Sequence, residues 1–397
     1  MAKRDLEGMH VDTRAIWAGE DRYLVDRATQ VPVVQSVSFG YGDLDEWYEV
    51  ALGRREGHIY GRNTNPTVAA FEEKVRLLER AQAATSFSTG MAAISNTLWA
   101  LLGPGDRVVS IKDTYGGTSR LFLEHLPRFH VDVALCDTGD HEAIEREIGK
   151  GCKLLYLETP TNPTLKVLDI ERLSRAGHAA GAVVAVDNTF ATPVNQHPLE
   201  LGADLVLHSA TKFLGGHADA LGGLLCGRED LVREVFHFRE INGATLHPEA
   251  AYLILRGLKT LGLRVRQQSQ SALEIARFLE AQPAVAEVYY PGLASHPQHA
   301  VAARQMEGFG GVLSFSLQGG FDAVRRFLPA LRLAHLAANL GAVETVAGPP
   351  RTTSHVELTE AERAALGIPE GLIRYSVGIE DTGDLIRDLE QALRALG

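Results

Sequence analysis

The chain has 397 residues, 45% of them apolar and 22% charged, and a formal net charge of −11. That length exceeds what one core usually serves, so two domains with an arm are expected, in a soluble globular composition. The negative balance excludes nucleic acid and anionic membrane surfaces as bulk partners, and leaves room for a small anion in a local positive pocket.

The N-terminus, MAKRDLEGMHVDTR, has no apolar signal core, and no run approaches a membrane span, so a cytoplasmic protein is expected. Residues 1–65 are weakly periodic and rich in turns, such as FGYGD and YGRNTNP, and read as an arm. Pro66 opens a helix with Asn65 as its cap, followed by Val68, Phe71, Val75 and Leu78 at helical spacing. Ser88-Thr89-Gly90 begins the helix MAAISNTLWALL, which stops at GPGD. Strands follow at RVVSI (107–111), VDVAL (131–135), KLLYLE (153–158), AVVAVD (182–187) and ADLVLHS (203–209). Helices are expected between them at YGGTSRLFLEHL, DHEAIEREI and DIERLSRAGHAAG. Continuous apolar strands alternating with amphipathic helices imply an α/β fold with a mostly parallel sheet covered on both faces.

The three cysteines, Cys136, Cys152 and Cys226, lie far apart in or after apolar stretches, without metal-ligand spacing. They read as buried structural thiols in a reducing compartment, and no metal site is expected. After a helix near PEAAYLILRGLKTL the pattern changes to a long helix around 257–281, the strands AEVYYPG and GVLSFSL, and helices near 322–331 and at DLIRDLEQALRAL. The expected division is an arm over 1–65, a large domain over 66–256 and a smaller α+β domain over 257–397.

Ligands of an open parallel sheet bind beyond the carboxyl ends of its strands. Polar clusters stand at such ends: Glu158-Thr159-Pro160-Thr161-Asn162-Pro163, Asp187-Asn188-Thr189 and Ser209-Ala210-Thr211-Lys212. Ser88-Thr89-Gly90-Met91 stands at a helix N-terminus, where free N–H groups and the dipole favour an anion. An amine, a carboxylate and an anion cradle on neighbouring ends suit pyridoxal 5′-phosphate, whose aldehyde needs a lysine, whose ring nitrogen needs a carboxylate and whose phosphate needs donors. Taken singly, each feature has a plainer reading. Lys212 alone is more often a solvated loop charge, Asp187 or Thr89 a helix cap, and Tyr115 a turn aromatic. Their coincidence on consecutive elements favours the site. A nucleotide-binding phosphate loop is a poor rival, since no glycine loop precedes Lys212 and Phe213 follows it.

At these residues the chain resembles the Cys/Met-metabolism, or transsulfuration, family of pyridoxal-phosphate enzymes, which includes cystathionine γ-synthase, cystathionine γ- and β-lyases, methionine γ-lyase and O-acylhomoserine sulfhydrylases. The matching stretches are YGRNTNPT (60–67), FSTGMAA (87–93), YGGT (115–118), ETPTNP (158–163), VDNTFATP (186–193), HSATKFLGGHADALGG (208–223) and RYSVGIED (374–381), in family order over nearly the whole length. The resemblance implies the aspartate aminotransferase-like fold (fold type I) and an enzyme acting at Cγ of a homoserine- or methionine-type amino acid. It implies that Lys212 bonds the cofactor aldehyde and shuttles protons, that Asp187 pairs with the ring nitrogen and that Tyr115 stacks on the ring. It also implies that Gly90, Met91, Ser209 and Thr211 hold the phosphate, and that Tyr60 and Arg62 reach the phosphate of a neighbouring subunit, in a homodimer at minimum and usually a homotetramer. Arg374 would bind the substrate α-carboxylate with Asn162 beside it, while His217 and Asp219 are left as structural.

The chain departs from the family pattern over 337–355. Ala338-Asn339-Leu340-Gly341 stands where enzymes acting on cystathionine commonly show Glu-Ser-Leu-Gly. Loss of that carboxylate weakens the case for cystathionine, and Asn339 resembles some O-acylhomoserine sulfhydrylases. Val343 lacks the aromatic bulk associated with β-lyases, Gly348-Pro349-Pro350 replaces His-Pro-Ala, and Gly117 replaces the cysteine common in methionine γ-lyases. The expected reaction is γ-elimination to an α-keto acid and ammonia, slightly ahead of γ-replacement. An aminotransferase and a cofactor-binding protein without turnover are the remoter alternatives.

Overall fold

The computed structural model describes residues 6, 8–356 and 358–396, so that residues 1–5 and 7 of the expected arm lie outside it. Seven strands form the first sheet: β1 (Ala83–Phe87), β2 (Arg107–Ile111), β3 (Asp132–Cys136), β4 (Leu154–Glu158), β5 (Val183–Asp187), β6 (Leu205–Ser209) and β7 (Gly223–Gly227). Their order is β1-β7-β6-β5-β4-β2-β3. All run parallel except β7, which lies antiparallel between β1 and β6.

The five strands expected from apolar runs are present within two residues of their expected bounds. Along β4, Leu154 and Tyr156 face one apolar layer with Phe87 and Phe122, while Leu155 and Leu157 face the other with Val184 and Val186. Two buried faces explain an unbroken apolar run where a half-exposed strand would alternate. Strands β1 and β7 escaped the sequence. AATSF has few large apolar residues, and GLLCG is bracketed by glycines, which normally argue against a strand. Here the glycines are required by close approach: a Cβ on Gly223 would lie 2.0 Å from the Thr89 carbonyl oxygen.

A second sheet comprises β8 (Val285–Tyr289), β9 (Val312–Leu317), β10 (His335–Leu336), β11 (Val346–Gly348) and β12 (Leu372–Ser376), in the order β10-β11-β12-β9-β8. Its core includes Phe315, Phe327, Ile373 and Tyr375, with Ile275 and Leu279 of the helix Leu261–Glu280 packed in. Asn65 caps the helix Pro66–Leu78 by accepting from the N–H groups of Thr67 and Val68, as its sequence position implies.

Within the arm, the helix Val11–Trp17 is anchored by a buried lysine. Lys74 Nζ donates to the carbonyls of Ala15 (2.8 Å) and Ile16 (2.9 Å) and pairs with Glu20 (2.7 Å). All three cysteines are buried and free. Among the described residues no helix is long and apolar enough to cross a membrane, and no cluster of His, Cys, Asp and Glu could hold a metal ion.

Gly223→Ala should cost about 1–3 kcal/mol of stability, since the added methyl must push the Thr89–Gly90 segment off β7. Denaturant midpoints of the two proteins measure this, and an unchanged midpoint would show that the contact is not tight.

Candidate active site

The carboxyl ends of β4, β5 and β6 open into a cleft of about 280 Å³. Its lining includes nine of the sequence-derived candidates: Gly90, Met91, Tyr115, Asn162, Asp187, Ser209, Thr211, Lys212 and Arg374. Asn339 lies between two lining residues, Ala338 and Leu340, and hydrogen bonds into the site. Tyr60 and Arg62 do not line it. They sit on the arm, largely exposed, with the guanidinium 5.5 Å from the tyrosine ring centroid.

Lys212 lies in the segment joining β6 to β7, which turns back on itself through the Thr211 hydroxyl. That hydroxyl accepts from the Gly222 N–H at 3.0 Å. Lys212 Nζ donates to Asn339 Oδ1 at 2.9 Å. Burial, assisted by the charge of Arg374, pushes the amine down to about 8. At neutral pH roughly a tenth of such amines are unprotonated and nucleophilic, against a negligible fraction of ordinary lysines. The backbone beyond it is pinned by a residue the sequence did not single out. The buried Arg264 donates to the carbonyls of Phe213 (2.9 Å) and Gly257 (2.8 Å). An arginine in the first turn of a helix gives no sign of reaching a loop fifty residues earlier.

Asp187 ends β5 and is buried. It accepts from the Thr189 N–H at 3.0 Å and meets the Tyr156 hydroxyl at 3.4 Å. Burial raises this carboxyl above its usual range, against the stabilising contacts of Thr189, His208 and Tyr156. Among the described residues, no lysine or arginine pairs with it. A buried carboxylate without a cation is costly, and a protonated ring nitrogen is the kind of partner that would complete it.

The helix Gly90–Leu101 points its N-terminus at the same cleft. Thr89 caps it by accepting from the Ala92 N–H at 3.0 Å, which leaves the first N–H groups of the helix without an intrahelical partner. A Cβ on Gly90 would lie 2.7 Å from Ser209 Cβ, so glycine is what lets this helix end close on the β6 terminus. Donors of the helix and the strand end thereby converge on one concavity suited to a phosphate. Gly117, a departure noted in the sequence, has a local reason: a Cβ there would lie 2.8 Å from Met91 Sδ and 3.1 Å from the Tyr115 ring.

Arg374, on β12, reaches the cleft from the second sheet. Its Nη1 donates to Asn162 Oδ1 (3.0 Å) and its Nη2 to the Asn339 carbonyl (3.1 Å). Burial lowers it to about 10, which leaves it cationic at neutral pH and able to pair with a carboxylate. The only charged residues lining the cleft, among those described, are Glu158, Asp187, Lys212 and Arg374. The lining also includes Ala338, Leu340, Leu221, Thr353 and Ser354, none of them acidic or basic.

A family model described as Cys/Met metabolism PLP-dependent enzyme matches residues 12–394. Cystathionine gamma-synthase 1, chloroplastic, of Nicotiana tabacum is 44% identical over 386 residues, 96% of this chain and 71% of that protein. An L-methionine gamma-lyase of Fusobacterium nucleatum subsp. polymorphum is 41% identical over 387 residues, 97% of this chain and 98% of its own. The crystal structure of metB from Corynebacterium glutamicum superposes with a TM-score of 0.93 at 38% identity, covering 99% of this chain and 100% of that one.

Capture of pyridoxal 5′-phosphate by cofactor-free protein should quicken as pH rises through about 8 and level off above it, because only the neutral amine attacks. Stopped-flow absorbance measures this, with Lys212→Ala as the blank. A rate still climbing at the pH of ordinary lysines would remove Lys212 from this role.

Proposed function

The chain belongs to the Cys/Met metabolism family of PLP-dependent enzymes, with chemistry of the γ-elimination or γ-replacement type, and we propose that it carries out γ-elimination. The substrate would be an amino acid of the homoserine or methionine type with an uncharged group at Cγ, and the products an α-keto acid and ammonia. The observation supporting this reading is the cleft lining, which among the described residues has no acidic or basic side chain besides Glu158, Asp187, Lys212 and Arg374. An incoming amino-acid nucleophile would bring its own ammonium and carboxylate, and this lining offers no further charged side chain to pair with them. A second reading, γ-replacement by a small uncharged thiol, is supported by the comparable similarity to a synthase and to a lyase.

Bound in the cleft, pyridoxal 5′-phosphate would supply what side chains lack, a cationic conjugated ring that accepts the electron pair left when a carbon-bound proton departs. Lys212 would hold the aldehyde carbon and, once released, carry protons between Cα and Cβ of the substrate. Asp187 would keep the ring nitrogen protonated, which its buried carboxyl does by remaining anionic beside it. The N–H groups of Gly90 and Met91, with the Ser209 and Thr211 hydroxyls, would hold the phosphate. Tyr115 would stack on the ring and assist the proton transfers. Arg374, aimed by Asn162, would fix the α-carboxylate, and Asn339 would hold the free amine of Lys212 between transfers. Tyr60 and Arg62 would complete the phosphate site of a partner subunit, which requires at least a homodimer; a homotetramer is the arrangement we favour.

Keto-acid release from a panel of γ-substituted amino acids tests the reaction. L-Methionine and O-acetyl-L-homoserine should exceed L-cystathionine and O-succinyl-L-homoserine by about tenfold or more in kcat/KM. A preference for the charged pair would sink the substrate reading, and thiol-dependent product in place of keto acid would select replacement. Arg62→Ala should lose cofactor in a way that mixing with Lys212→Ala subunits restores, because one site of the hybrid dimer is intact. No recovery in a verified hybrid dimer would count against the shared site.

A further inference from the structure

Glu158 has no part in holding cofactor or substrate in the reading above, yet it lies at the centre of the residues that do. It ends β4 with its carboxyl buried, lines the cleft, and stands in register with Asp187 across the β4–β5 ladder. Its Oε2 accepts from the backbone N–H of Tyr115 at 2.7 Å. The backbone N–H of Asn162 also acts on this carboxyl, favouring its charged form. Asn162 in turn accepts from Arg374 Nη1 at 3.0 Å.

We propose that Glu158 is a positioning residue that ties Tyr115 and, through Asn162, Arg374 to the end of β4, so that one side chain registers the ring seat against the carboxylate seat. The proposal rests on the cofactor reading given above. Its physical basis is that Tyr115 stands at the open start of a short helix, Gly116–Arg120, and is 45% exposed as a residue. Such a residue has little packing to fix it, and a backbone tether to a rigid strand end supplies the missing constraint. The loop after β4 has the same need, because Asn162 must keep its side-chain oxygen on the guanidinium.

The charge state of the pair fits this role. Burial, and then the charge of Asp187, push the Glu158 carboxyl well above the ordinary range. Asp187 is raised less, since the hydroxyl and N–H of Thr189 hold its charged form. Of the pair, Glu158 is thus the one pushed further toward its neutral form. A neutral carboxyl still accepts hydrogen bonds from backbone N–H groups, so a carboxamide of the same shape can replace it.

The test uses cofactor-loaded wild type, Glu158→Gln and Glu158→Leu. Four quantities are read: circular dichroism in the cofactor absorption band, KM and kcat for the substrate that wild type turns over best, and the melting temperature. Glu158→Gln should keep the dichroic band with KM within about twofold of wild type. Glu158→Leu should retain cofactor on Lys212 but lose most of the dichroic signal, with KM raised about tenfold to a hundredfold. An unchanged band and KM in Glu158→Leu overturns the proposal. So does a Glu158→Gln as impaired as the leucine variant, which would place the requirement in negative charge. Should the leucine variant not fold, Glu158→Asp decides, since it draws the acceptor back by one methylene; an unchanged band and KM there overturns the tether. Failure of the cofactor reading is separate, because wild type itself would then take up no cofactor on Lys212.

Discussion

A carboxyl buried at a strand end, with no lysine or arginine paired to it among the described residues, is the feature on which the rest of this site depends. Asp187 sits at the carboxyl end of β5, is 8% exposed, and meets the Tyr156 hydroxyl and the Thr189 N–H, with the Thr189 hydroxyl and His208 also favouring its charged form. Removing a charge from water without a counter-charge is among the most costly acts in a protein interior. The arrangement is sensible only if something outside the chain completes it. A ligand with a protonated ring nitrogen does so, and the amine held against Asn339 on the neighbouring strand end offers such a ligand a covalent hold.

The site is built by backbone proximity as much as by side-chain chemistry. Gly90 lets a helix N-terminus rest on Ser209, and Gly223 lets β7 pass beneath Thr89. On the far side, Arg264 holds the chain beyond Lys212 from within a long helix that also packs against the second sheet. That contact, with Arg374 reaching across to Asn162, makes the relation between the two sheets part of the geometry of the site. A shift of either sheet would change where the guanidinium stands relative to the amine.

The arm presents a different situation. Tyr60 and Arg62 lie outside the cleft of their own chain, in a segment that also exposes apolar side chains such as Val37, Trp47 and Tyr48. An apolar surface of this kind is expected where a chain meets a partner. In our reading a second copy covers it and receives the arginine, so that phosphate binding and association become one event.

Much of this was legible in the sequence because it depends on local pattern. Unbroken apolar runs announce strands buried on both faces, Asn65-Pro66 announces a helix start, and polar clusters at strand ends announce a cleft. From these, Lys212, Asp187 and the Gly90–Met91 cradle follow without coordinates. Strands β1 and β7 were hidden, since their small residues and glycines answer to neighbours that local sequence does not display. The convergence of Asn339 on both Lys212 and Arg374, and the tie from Glu158 to Tyr115, join residues 127, 35 and 43 positions apart. Only the tertiary structure decided these, because a hydrogen bond depends on where two chain segments lie in space, whereas periodicity and capping depend on residues within one or two turns.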